Sequence, residues 1–595
     1  MEILGGVILA GLAVIFLATS WRKWPDPLID FGRELYLPWR LSHGAVLYRE
    51  VDDFYGPLSQ YFNAGLFALF GPGLMVLVAA NLAILAAILA TLYGLFRRAW
   101  GVGAAFVSTA VFISVFAFSQ FVGIGNYNYA TPYAHEATHG LLVCLLLVAV
   151  LPRWIERATA RRSFVAGGLF GLTAVLKPEI MLAAGLVSGA AFAVQRWQRR
   201  PLSLGAMGAW TAGALLPTAA FAAYFCRHAP WSSALGMACR AWLSVATSTR
   251  FTGDPVQAGF LGIDQPWPHV LEHAGATLLA VFLLAVIGVG SWLTDRPANR
   301  WRRWLLLAGL TAGLAALAWF KVPWANSGRC LLGLGLMYGV VCVFPFVSRP
   351  AAEANSGVPV LRLLLAVLAV ALMSRMILNG RIYQFGFYQA ALAALLVPAV
   401  VIGEFPERLR LGAFGRATVA AACLGLLVPG VVMLAGQSRQ MLRLKTLPVG
   451  EGRDQFLAYA PQMDPTGYLV AQTCEGLRRA AAGREQTLLV LPEGEMINYL
   501  ARMPNTVAPF FFFSAATSGG REAAIVRDLE KRPPDRIVIV SRDLREYGVQ
   551  RYGDRSGEGL EIMTWAAANY DLVGNLGGDP LDVRQRGVVI LERKH

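Results

Sequence analysis

The sequence predicts an all-α polytopic membrane bundle of about 13 transmembrane helices with a small C-terminal α/β soluble domain, on three observations. Of 595 residues, 56% are hydrophobic and only 15% charged, and the mean hydropathy is +0.51, too apolar for a soluble chain of this length. Apolar runs of roughly 18–25 residues, each long enough to span the hydrocarbon core, recur through the first three quarters. After Gln437 the composition becomes that of an ordinary soluble domain. The chain therefore divides into a membrane part, 1–436, with a large first loop at 21–72, and a C-terminal part, 437–595.

Spans are expected near 3–20, 73–96, 103–121, 137–151, 164–176, 179–195, 204–225, 271–294, 303–320, 330–348, 360–378, 385–403 and 417–436. The first run lacks a basic leader and a small-residue cleavage site, so it is kept as a membrane helix. Alternate connections carry the arginines: Arg97 and Arg98; Arg153, Arg157, Arg161 and Arg162; Arg196, Arg199 and Arg200; Arg296, Arg300, Arg302 and Arg303; Arg349 and Arg362; Arg408, Arg410 and Arg416. Such connections are expected to be cytoplasmic. By parity the N-terminus is cytoplasmic too, and residues 21–72, 122–136, 226–270, 321–329, 379–384 and the C-terminal part lie outside. Arg22 and Lys23 follow the first helix and disagree with this count. Lys177-Pro178-Glu179 forms the apex of an outer hairpin, because proline breaks the helix there. In the C-terminal part, Thr487 to Leu491 and Arg536 to Val540 read as buried strands, with a helix over Arg521 to Lys531 and a turn at Pro533-Pro534. The run Phe510 to Phe513 reads as core rather than a lipid-facing surface.

The balance of 52 basic against 37 acidic residues, net +15, follows from topology rather than from a nucleic-acid face, since the arginines sit between apolar runs. Seven cysteines form no CxxC pair, which argues against a zinc ribbon or redox centre. Only Cys226 and Cys239 share a loop that a disulfide would close.

The first outer loop holds Asp26, Asp30, Arg33, Glu34, Trp39, Arg40, Tyr48, Asp52, Asp53 and Tyr55. Acids, bases and aromatics together at a membrane surface suit a charged amphipathic substrate; a solvated loop is the plainer reading. Farther on, His135-Glu136-Ala137-Thr138-His139 spells HExxH, which puts two histidines on one helical face as in zinc proteases. No third ligand accompanies His135 and His139, so no metal site is assigned, and zinc proteolysis stands as an alternative. Glu136 equally suits the N-terminus of the following helix.

The stretches Asp30-Phe31-Gly32-Arg33-Glu34, Gly44-Ala45-Val46-Leu47-Tyr48 and Tyr55-Gly56-Pro57-Leu58 resemble the first outer loop of C-type membrane glycosyltransferases. Protein mannosyltransferases, lipid A aminoarabinose transferase and rhizobial galacturonosyltransferases belong to that group. The resemblance implies inverting transfer of a sugar from a polyprenyl-phosphate donor to a lipid, glycan or protein acceptor, with Asp30 as base. It further implies that Glu136 and one of Asp52 or Asp53 assist. The aminoarabinose transferase pattern has Lys-Pro-Pro where this chain has Tyr55-Gly56-Pro57, so its phosphate-binding lysine is missing here.

A phosphate leaving group needs cations on the outer side. Lys177 is the first choice, because a lone lysine in apolar sequence is costly unless it faces a cavity or a partner. Its plainer reading is an ion pair with Glu179. Arg375 and Arg381 lie near outer span ends, and Tyr383 beside them belongs to an aromatic rim suited to a sugar face. Arg33, Glu34, Tyr55 and His135 complete the expected substrate-binding set. Asp30 and Lys177 are expected to converge on one outer cavity. No cofactor is required, though a divalent cation is compatible; the partners are the lipid-linked donor, an acceptor and membrane lipids, without nucleic acid. A bacterial inner membrane is the expected location. A transporter or flippase is the non-enzymatic alternative, against which the large loop and the outer domain weigh.

Overall fold

The computed structural model describes residues 2–247, 255–296, 299–348, 357–513, 520–554 and 558–594. Arg349 and residues 248–254 of the 226–270 loop lie outside the described residues. Every expected span has a helix. Among the described residues, nine helices are long and apolar enough to cross a membrane, and the chain is a multi-pass membrane protein. They include α1 (Glu2–Ser20), α4 (Leu74–Trp100), α6 (His135–Glu156), α8 (Pro178–Trp197) and α9 (Leu204–Phe225).

Helix α7 (Ala160–Ala174) begins and ends earlier than expected, before the hairpin apex. Three spans are shorter than expected: α5 (Val102–Phe112) ends in a π-helical turn to Ala117, and the others are Gly357–Met373 and Ala391–Gly403. Between the last two, residues 374–390 form turns, so the spans expected at 360–378 and 385–403 end and begin at these turns. Non-helical backbone at membrane depth is tolerated where protein buries it, and these turns carry Arg375 and Phe385.

Two further helices, α2 (Phe31–Ser42) and α3 (Pro57–Phe70), come from the first loop. The helix Ala413–Arg443 leads directly into the C-terminal part. There β1 (Lys445–Val449) and β2 (Phe456–Tyr459) pair antiparallel, while β3 (Leu488–Leu491), β4 (Arg536–Val540), β5 (Tyr570–Gly577) and β6 (Gly587–Arg593) form one sheet in the order β3-β4-β6-β5. Strands β3 and β4 run parallel, with Leu488 opposite Arg536, joined through the helix Arg521–Lys531 as a βαβ crossover requires. Phe510, Phe512 and Phe513 are buried, as expected of core. Cys226 and Cys239 are free thiols, against the disulfide expectation: each closes a different helix, α9 and Trp231–Ala238.

The segments assigned by parity to one side do meet on one face. Asp26 N donates to Asn126 Oδ1 at 3.1 Å, Gly56 N to the Leu176 carbonyl at 2.6 Å, and Asp52 N to the Ala508 carbonyl at 2.9 Å. Arg22 is used at this junction, donating to Gln455 at 2.8 Å, while Lys445 donates to the Lys23 carbonyl at 2.7 Å. The Arg22 guanidinium thus has a partner in the C-terminal part, whereas the Lys23 contact uses its carbonyl and leaves that charge in disagreement with the count.

Short α7 is held by backbone contact with α9. A Cβ on Gly167 would lie 2.1 Å from the Trp210 carbonyl oxygen, and one on Gly171 2.3 Å from that of Ala214. Small residues four apart let helices approach this closely. Replacing Gly171 with Leu is expected to cost about 1–3 kcal/mol through overpacking. Thermal unfolding of the purified protein in detergent checks this: the midpoint should fall, and an unchanged midpoint would count against the backbone contact.

Candidate active site at the first loop

Asp30 sits immediately before α2 with φ 61, a conformation uncommon for a non-glycine residue. Its carboxylate makes no capping bond to the helix, so its oxygens are not consumed by the helix they precede. Burial pushes the Asp30 carboxyl up to about 7 against the pull of Arg33, and Glu493 pushes the same way as burial. A carboxylate so placed is a competent base near neutral pH.

One turn on, Arg33 and Glu34 point into a buried polar cluster. Arg33 donates to Glu34 at 2.6 Å and to the Tyr133 carbonyl at 2.8 Å. Glu34 also bonds His135 Nδ1, while His135 Nε2 meets Asn81 at 3.0 Å. Burial opposes the charge on Glu34, but Arg33 and His135 outweigh it and hold the carboxyl well below its usual range. Gln60 Nε2 reaches Glu34 at 3.4 Å and Glu136 at 3.3 Å. Asp53 lies 4.0 Å from Arg33; burial raises its carboxyl more than Arg33 lowers it. Glu136 Oε2, Asp53 Oδ2, Gln60 Oε1 and Arg33 Nε are buried without a hydrogen-bond partner among the described residues. Orphaned polar atoms gathered like this are the groups a bound ligand or water would satisfy.

A cationic pole adjoins the cluster. Lys177 is 1% exposed, donates to Tyr133 Oη at 2.9 Å and pairs with Glu179 at 3.0 Å. Burial alone would lower its proton affinity, but Glu179 and the two tyrosines more than offset that. The ammonium stands 4.5 Å from the Tyr55 ring centre, and the Arg33 guanidinium stands 5.3 Å from the same ring. Arg375 shares Glu179 at 3.7 Å and lies over Phe385 at 5.1 Å. Two cations around one carboxylate leave an excess positive charge. The plainer reading of Lys177, its pair with Glu179, is thus present and does not exhaust the charge.

The C-terminal part closes the other side. Glu493 is ion-paired with Arg542, and both act on Asp30 electrostatically. Arg33 lies over Phe510 at 5.6 Å, and Phe54 packs on Phe510 and Phe511 at 5.2 and 5.1 Å.

The expected residues therefore divide. Asp30, Arg33, Glu34, Asp53, Tyr55, His135, Glu136, Lys177, Glu179 and Arg375 belong to this connected region. Asp52 points away to Arg240 at 3.2 Å. Arg381 is exposed. Tyr383 stacks on Phe121 at 5.2 Å and bonds Gln437; Phe385, two residues on, faces the cations instead. The Tyr55 ring is approached by both Arg33, at 5.3 Å, and Lys177, at 4.5 Å, and Lys177 also stands 4.9 Å from the Tyr133 ring. Both ring nitrogens of His135 have protein partners, whereas His139 bonds Ser59 through Nδ1 at 3.0 Å and leaves Nε2 without a partner among the described residues. Gln60, Tyr133, Asn81, Glu493 and Arg542 were not singled out. The buried polar run Ser59, Gln60 and Asn63 on α3 was the available signal for the first.

No family model and no curated relative matches the chain. Among solved structures, the chain is similar to the Archaeoglobus fulgidus oligosaccharyltransferase in its apo form, with TM-score 0.47, 14% identity, and coverage of 96% of this chain and 73% of that one. It is also similar to ArnT from Cupriavidus metallidurans bound to undecaprenyl phosphate, with TM-score 0.41, 14% identity, and coverage of 98% and 97%. At such identities and TM-scores the likeness assigns neither activity nor substrate.

Replacing Glu34 with Ala leaves Arg33 and His135 buried without their shared carboxylate, at an expected cost of about 3–5 kcal/mol. Asp30→Asn at pH 8 should instead leave the thermal midpoint unchanged or raise it, because burial disfavours the carboxylate there. Equal losses in the two variants, measured by thermal unfolding, would contradict this division of labour.

Proposed function

We propose that this chain is an inverting membrane glycosyltransferase, moving a sugar from a polyprenyl-phosphate carrier to an acceptor on the face that carries the C-terminal part. The observation that supports it most is that Arg33, one turn after the uncapped Asp30 carboxylate, and Lys177 both stand over the Tyr55 ring, at 5.3 and 4.5 Å, with Lys177 and Arg375 sharing the single carboxylate of Glu179. The first-loop resemblance agrees with this arrangement.

In this reading the acceptor hydroxyl gives its proton to Asp30 as its oxygen bonds the anomeric carbon. The bond from that carbon to the phosphate oxygen breaks on the opposite side, which inverts the centre. Its electron pair leaves with the polyprenyl phosphate, whose charge Lys177 and Arg375 hold. A phosphate is already a good leaving group, so cations that hold it matter more than a general acid. Glu34 positions Arg33 through their buried pair, and Glu136 and Asp53 shape the acceptor side. The C-terminal part, 437–595, lies over that side, in an inner membrane with the arginine-bearing connections cytoplasmic.

Incubation of the purified protein with radiolabelled polyprenyl-phosphate sugars and a membrane extract tests the proposal. Asp30→Asn is expected to lower transfer about 10²–10⁴-fold, and transfer that persists in it removes Asp30 as base. Because the base acts as carboxylate, wild-type kcat/KM should fall as pH drops through about 7. Lys177→Met should lower kcat/KM about 10²-fold through loss of charge stabilisation. No transfer from any lipid donor would favour transport instead.

A further inference from the structure

The opposite end of the bundle holds a cavity of about 330 Å³ between the C-terminal ends of α6 and α8 and the start of α9. Gln195, Glu156, Arg157, Arg200 and Ser203 line it, and none of them belongs to the site above. Three features say what it would take.

Gln195 is 2% exposed, and its amide Nε2 has no hydrogen-bond partner among the described residues. A buried amide donor in a cavity wall calls for an acceptor there. Arg200 is fixed at the same wall, donating to the Glu156 carbonyl at 2.6 Å. The Arg157 guanidinium is exposed and has neither hydrogen bond nor ion pair among the described residues. With Glu156 the only lining carboxylate among the described residues, the Arg157 guanidinium and an unsatisfied amide beside the fixed Arg200 favour an anion, and guanidinium suits a phosphate in particular.

The third feature is location. Trp154, Phe192 and Trp210 pack together at 4.8–5.1 Å beside the cavity. Next to it Trp197, Leu204 and Met207 are 50%, 85% and 49% exposed. Outward apolar side chains on a membrane protein face acyl chains, and basic pockets between helices at this level receive lipid headgroups. These apolar side chains place acyl chains beside the cavity.

We propose that the cavity binds the phosphate headgroup of an anionic phospholipid. The full chain in detergent is titrated with micelles containing phosphatidylglycerol, with phosphatidylcholine, and with inorganic phosphate alone, while the thermal midpoint is followed. Phosphatidylglycerol alone is expected to raise the midpoint. Arg157→Gln, a surface change, and Gln195→Glu, which replaces the amide donor by a like charge, are each expected to reduce that rise to about half or less. In lipid-free detergent Arg157→Gln should match the wild type, so its response separates lost binding from lost folding. Variants that respond as fully as wild type overturn the proposal. So does an equal rise from phosphatidylcholine, or from inorganic phosphate, which would make the ligand a free anion.

Discussion

The site depends on one backbone junction, where the first loop lies flat against the hairpin apex. Gly56 N donates to the Leu176 carbonyl at 2.6 Å and Leu58 N to that of Val175 at 3.1 Å. A Cβ at position 56 would sit 2.3 Å from the Val175 carbonyl, so only glycine permits the approach. The junction delivers the Tyr55 ring to Lys177, and Pro57 starts α3 immediately afterwards. Helix α3 then presents Ser59 to His139 and Gln60 to Glu34 and Glu136. A change in backbone separation here would displace the carboxylates and the cations together.

The loop is clamped from its other side by the C-terminal part. A Cβ on Gly32 would lie 2.3 Å from Met496 N, and Asn505 N donates to Tyr36 Oη at 2.8 Å. Asp30 is half-buried here, with Glu493 and Arg542 near enough to act on its charge. Enclosure is what raises its proton affinity, since a carboxylate in low dielectric is disfavoured and Arg33 restores only part of the loss. The same enclosure leaves Glu34 ionised, because Arg33 and His135 touch it directly. Two acids four residues apart thus acquire different tasks from their surroundings.

Much of this was legible in the sequence because it is local. Hydropathy alone locates every span, the proline at 178 marks the hairpin, and the change of composition after Gln437 marks the sheet-bearing part. Asp30 and Lys177 stand out because a charge next to an apolar run needs a reason. What was illegible is long-range. Tyr133, Gln60, Glu493 and Arg542 gain their importance only from segments far away in sequence, and no periodicity encodes that. The rim at Tyr383 failed by a local ambiguity: in the turns at 374–390 the facing of neighbouring side chains follows no helical rule, so Phe385 and not Tyr383 meets Arg375. The HExxH spelling fixes only a helical spacing and not occupancy: in the fold Glu34 and Asn81 hold both nitrogens of His135.

In the proposed reaction the cation pair at 177 and 375 receives a lipid-borne phosphate, with the carboxylate at 30 as base. An experimental map of the full chain with a short-chain polyprenyl phosphate tests this most directly. Phosphate density is expected about 3 Å from Lys177 Nζ and the Arg375 guanidinium. Phosphate bound elsewhere, with Lys177 still closed on Glu179 and Tyr133, would contradict it.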